Sequence, residues 1–128
     1  MPKRKVLVVE DEESITLFMK NLLASQGCEV FVTAKGEEAW EIFKREKPQA
    51  VSIDLHLIWS AFDGLTLLEK IRQVDTKVFC AVFTRIVEKD VLDNVKAAGA
   101  DAIFLKPPVS EELRELIDCL AGKSQGGV

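Results

Sequence analysis

Apolar and polar positions alternate along this chain in two different rhythms. Short runs rich in β-branched residues, at 5–9, 29–33, 50–53, 78–83 and 102–105, predict five strands. Between them, apolar residues fall at helical spacing. The first such set is Ile15, Phe18, Met19, Leu22 and Leu23, followed by Ala39, Ile42 and Phe43, and then by Leu65, Leu68 and Ile71. Val91, Leu92, Val95 and Ala98 continue the series, closed by Gly99, and Leu113, Leu116, Ile117 and Leu120 complete it behind a Ser110 cap. Each predicted strand is thus followed by a predicted helix.

Strict alternation of this kind predicts a parallel sheet with helices on both faces, because each parallel connection needs a right-handed crossover. The expected architecture is α/β, a single three-layer domain with a flavodoxin-like (βα)5 doubly wound sheet in strand order 2-1-3-4-5. Its ligand crevice lies at the carboxyl ends of strands one and three. With 128 residues the chain suits one domain, expected over 1–121. Residues 122–128, GKSQGGV, are polar and glycine-rich and are expected to be a flexible tail or the start of a linker.

Composition narrows the function classes. A net charge of −4 and a pI near 5.1 argue against general affinity for nucleic acid or an anionic membrane, so no direct contact with either is expected. The apolar run behind the basic N-terminus stops at Glu10, too short for a signal peptide, and no stretch approaches the ~20 residues needed to span a bilayer. The expected location is cytoplasmic. Cys28, Cys80 and Cys119 are far apart and lack CxxC or CxxH spacing, which suggests small packing residues and neither disulfides nor a zinc site. Trp40 and Phe43 are expected to pack on a helix surface or in the core.

Polar residues interrupt the apolar pattern where strands end. Glu10 and Asp11 follow strand one, Asp54 follows strand three, Thr84 follows strand four, and Lys106 follows strand five just before Pro107. In the expected fold these converge on one sheet edge. Three clustered carboxylates repel one another and either raise a pKa or recruit a cation, and a hard divalent ion such as Mg2+ prefers such oxygen ligands. An Asp carboxylate there can act as a nucleophile towards phosphorus, and Asp54 is the best placed because it ends a central strand. Glu10 and Asp11 are better placed as metal ligands, while Lys106 and Thr84 offer a point charge and a hydroxyl donor. His56 taken alone reads as a solvated loop residue.

At this point the sequence resembles the receiver family of two-component response regulators, over roughly residues 4–121. VLVVEDE (6–12) resembles the family's first strand with its acidic pair, and VSIDL (51–55) its phosphoacceptor strand. FDGL (62–65) resembles the glycine turn into the third helix, VFT (82–84) the hydroxyl strand end, and GADAIFLKP (99–107) the lysine–proline segment. The resemblance implies that Asp54 accepts a phosphoryl group from a histidine kinase or phosphotransfer protein. It further implies Mg2+ held by Glu10, Asp11, Asp54 and the backbone carbonyl of His56, with Thr84 and Lys106 contacting the phosphoryl oxygens. A cis Lys106–Pro107 bond is also expected. Such a domain is a signalling module, not an enzyme beyond its own phosphorylation and dephosphorylation, and it can act on an effector domain or protein.

Three departures from the family pattern stand out. The segment LHLIWSAFD (55–63) is about two residues longer than usual before Gly64 and lacks its proline. Arg85 replaces the small residue after the hydroxyl position, where a long cation can guard the site or pair with Asp54. Ile103 replaces the family's aromatic switch, with Phe104 beside it. These departures support an alternative, a receiver-like binding module that signals without phosphate. Two enzyme readings fit less well. An aspartate-nucleophile phosphatase wants a second Asp where His56 stands, and EDEES (10–14) would repel the phosphate of a flavin.

Overall fold

The computed structural model describes residues 2–57 and 63–123. Five strands and five helices alternate: β1 Lys5–Val9, α1 Glu13–Ser25, β2 Glu29–Thr33, α2 Gly36–Glu46, β3 Ala50–Ile53, α3 Gly64–Val74, β4 Phe79–Thr84, α4 Lys89–Ala97, β5 Ala102–Leu105 and α5 Ser110–Leu120. All strands run parallel in the order β2-β1-β3-β4-β5. This is the flavodoxin-like doubly wound sheet that the alternation predicts.

The sheet has two apolar faces because successive side chains of a strand point to opposite sides. In β1, Leu7 and Val9 pack with Ile42, Phe43, Leu67, Leu68 and Ile71 from α2 and α3. Val6 and Val8 instead meet Met19 and Leu23 of α1 and Leu116, Ile117 and Leu120 of α5. Both sets are nearly solvent-free. Trp40 stacks on Phe43 with ring centroids 5.9 Å apart, as expected of surface packing on α2. All three cysteines are free thiols, two of them buried.

Small differences from the expected elements have local causes. β4 runs one residue later than expected, so Thr84 ends the strand rather than following it. Val109, not Ser110, occupies the N-cap of α5; Ser110 is the first helical residue, and Glu112 accepts the Val109 N–H at 3.2 Å. Phe18, assigned to the apolar face of α1, is 49% exposed. Gly99 closes α4 at φ 109°, a backbone region that penalises any side chain. The segment 55–63 falls at residues 58–62 outside the described residues, as does the tail from residue 124. Among the described residues no helix is long and apolar enough to cross a membrane.

Candidate functional site

Register brings the polar strand ends together. Val9 lies opposite Ile53, so Glu10 and Asp54 sit one step beyond, on adjacent strands; Asp54 N–H donates to the Val9 carbonyl at 2.9 Å. Thr84 lies opposite Leu105, and Lys106 N–H donates to the Thr84 carbonyl at 2.8 Å. The Lys106–Pro107 peptide is cis, as expected. The carboxyl end of the sheet thus carries Glu10, Asp54, Thr84 and Lys106 side by side, all buried.

Lys106 is the hub of the cluster. Its ammonium donates to Glu10 Oε1 at 2.7 Å and Oε2 at 2.9 Å, to Asp54 Oδ2 at 3.1 Å, and to Glu12 Oε2 at 3.2 Å. The side chains of Lys106, Glu10 and Asp54 are 1%, 2% and 6% exposed. Burial pushes Glu10 up from 4.5 to about 7, helped by the Asp54 charge and opposed by Lys106. Burial pulls the Lys106 ammonium down, but Glu10 and Asp54 together outweigh it and hold the pKa above its ordinary value. One ammonium among three carboxylates leaves an excess of negative charge, and a proton or a cation must balance it.

Asp54 is oriented from both sides. His56 N–H donates to Oδ1 at 3.2 Å while Lys106 holds Oδ2. Gly64 makes this placement possible: a Cβ there would stand 2.2 Å from the Asp54 carbonyl oxygen and 2.8 Å from the Ile53 side chain. Asp63 caps the same helix by accepting the Thr66 N–H at 2.9 Å. Thr84 Oγ1 accepts the Ile86 N–H at 3.2 Å, which leaves the hydroxyl proton to be donated elsewhere. An open cleft of about 500 Å³ lies over these groups, lined by Asp11, Glu12, Asp54, His56, Thr84 and Arg85 among others.

Asp11, Glu12 and Arg85 border the same cleft. Among the described residues, the carboxylate oxygens that approach within 4.8 Å of one another belong to Glu10, Glu12 and Asp54; Asp11, expected as a ligand, is half-buried and lines the cleft. Arg85 pairs with Glu12, not with Asp54, through Nη2 to Oε1 at 2.8 Å and Nε to Oε2 at 3.3 Å. This guanidinium holds the Glu12 carboxyl below its ordinary value, with Lys106 assisting. Glu12 is not among the residues singled out from the sequence, because its place depends on a local turn. The chain bends at Asp11, and the Glu12 N–H donates to Glu10 Oε2 at 3.1 Å, which ties the two residues together. Such an all-oxygen set suits a hard divalent cation.

Residues 6–118 match the response regulator receiver domain family. The chain belongs to this family. Receiver domains are the signalling domains of two-component response regulators and typically bind Mg2+ at an acidic pocket; here Glu10, Glu12 and Asp54 form an acidic cluster. It is 26% identical to sporulation initiation phosphotransferase F of Bacillus subtilis (strain 168) over 117 residues, 91% of this chain and 93% of that protein. Chemotaxis protein CheY of the same organism is 26% identical over 89% of this chain and 94% of its own length. Transcriptional regulatory protein YxdJ, also from that organism, is 30% identical over 85% of the receiver chain but only 46% of its own length. The chain therefore spans about half of that regulator. Among solved structures, a CheY-like receiver domain protein from Methanospirillum hungatei JF-1 superimposes with a TM-score of 0.80 at 24% identity, covering 94% of this chain and 98% of that one. The receiver domain of a sensor histidine kinase from Pseudomonas aeruginosa PAO1, with a magnesium ion coordinated in its active site cleft, gives 0.79 at 23% identity over 95% of this chain and all of that one.

Proposed function

We propose that this receiver domain accepts a phosphoryl group on Asp54 from a histidine kinase or phosphotransfer protein, in a Mg2+-dependent reaction, and changes its partner contacts in response. The observation that supports this most is the buried Lys106 ammonium bonded at once to Asp54 and Glu10 beneath an open cleft. Asp54, held by Lys106 on one oxygen and by the His56 N–H on the other, borders the cleft through which a phosphoryl donor can approach. A carboxylate oxygen of Asp54 attacks, and the bond from phosphorus to the donor's imidazole nitrogen breaks, its electron pair remaining on the ring.

Glu10, Asp11, Asp54 and the backbone carbonyl of His56 are the proposed metal-holding groups, with Glu12 also within reach of the cluster. A bound Mg2+ supplies charge neutralisation at the transferring group. Lys106 adds a compact positive charge, and Thr84 donates its hydroxyl proton to a phosphoryl oxygen. The negative net charge leaves nucleic-acid contact to an effector domain or partner, and a cytoplasmic setting fits the donor chemistry. Treatment with a small phosphodonor and Mg2+, followed by proteolysis and mass spectrometry, tests the assignment. The modified peptide is expected to carry Asp54; a label mapped to any other residue would overturn it.

A further inference from the structure

Arg85 and Glu12 form an ion pair across the mouth of the cleft. Glu12 is the N-cap residue of α1, directly beyond β1, and Arg85 opens the loop after β4. Since β3 lies between β1 and β4, the pair bridges over the strand end that carries Asp54. The guanidinium engages both Glu12 oxygens at once, Nη2 on Oε1 and Nε on Oε2, and Oε2 also accepts from Lys106. Glu12 is also one of the three carboxylates whose oxygens converge closely enough to hold a metal ion. Arg85, Lys106 and a cation thus have access to one carboxylate.

We propose that Arg85 competes with the divalent cation for Glu12 and so sets how much cation the cleft needs. This deepens the phosphoacceptor reading, which assigns the cation its role. Arg85 and Glu12 are partly exposed, at 58% and 37% of their side chains, so the fork can open without unfolding either loop. The same exposure limits its strength. Exposed ion pairs contribute little, so removing the competitor should tighten cation binding by about two- to fivefold, not by orders of magnitude.

Calorimetric titration of Mg2+ into the metal-free wild type, Arg85→Gln, Glu12→Gln and the double variant tests this without any phosphodonor. Arg85→Gln is expected to bind Mg2+ about two- to fivefold more tightly than wild type. In the Glu12→Gln background the same change is expected to have no effect, because the contested carboxylate is gone. Equal tightening in both backgrounds would reduce Arg85 to a distant repulsive charge and overturn the proposal, as would unchanged or weaker binding in Arg85→Gln. Thermal unfolding of each variant confirms that the comparison is made between folded proteins. Labelling by a small phosphodonor supplies a second reading: Arg85→Gln should gain speed over wild type at limiting Mg2+ and lose that advantage at saturation. A complete lack of labelling in every protein would refute the Asp54 assignment while the calorimetric comparison still decides the competition.

Discussion

Glu10 lies behind the cleft with its side chain 2% exposed, and desolvation raises its pKa from 4.5 to about 7. A carboxyl whose folded pKa is raised keeps a proton that the unfolded chain has lost, so between those two values stability falls as pH rises. The loss is on the order of 3 kcal/mol for a shift of this size. Urea unfolding in the presence of a chelator, at about pH 5 and about pH 7.5, should show wild type losing markedly more stability than Glu10→Gln. Parallel losses would show that Glu10 titrates normally. Gly64 gives a second prediction at this scale. A Cβ at 2.2 Å from the Asp54 carbonyl forces β3 and α3 apart, so Gly64→Ala should cost roughly 1–3 kcal/mol in the same assay and slow labelling of Asp54. A variant as stable as wild type would mean that the junction has slack. The acidic residues were legible as interruptions of an apolar pattern. That Glu12 joins them was not, because its placement depends on how the chain turns between Val9 and Glu13.

At the scale of elements, the strands and helices were legible because each apolar rhythm reports one periodicity. Boundaries slipped only where a neighbour decided them, as at Thr84, whose pairing with Leu105 extends β4. Ile103 and Phe104 show what alternation along a strand dictates. Phe104 is buried on the α1 and α5 side, whereas Ile103 packs on the opposite side and lines the groove between α4 and β5. Phe104 therefore has the wrong face to replace the aromatic ring missing from position 103. Ile103 is β-branched, stiff at χ1, and has no hydroxyl to exchange partners. From β4 onwards, the loop 85–88 is the segment expected to respond, since it carries Arg85 and follows Thr84. Hydrogen exchange with and without a beryllofluoride phosphoryl mimic should show its largest change, among peptides from β4 onwards, at 84–88. Changes confined to 100–110 would show that coupling passes through β5 despite the missing ring.

For the whole molecule, strand order is what converts scattered residues into a site. Glu10 and Lys106 are 96 residues apart in sequence, yet parallel pairing sets their side chains 2.7 Å apart. The convergence was legible because a doubly wound sheet gathers its carboxyl ends on one edge. The ion-pair pattern within it was not, since one ammonium can choose among several carboxylates and only the packed structure selects. The chemistry proposed for this edge is acceptance of a phosphoryl group by Asp54. Intact mass after incubation with a small phosphodonor tests it most directly, on wild type with Mg2+, wild type with chelator, and Asp54→Asn with Mg2+. The mass of one phosphoryl group is expected on wild type with Mg2+ alone, and none in the other two. Labelling of a folded Asp54→Asn protein, or none in wild type at saturating Mg2+, would contradict it.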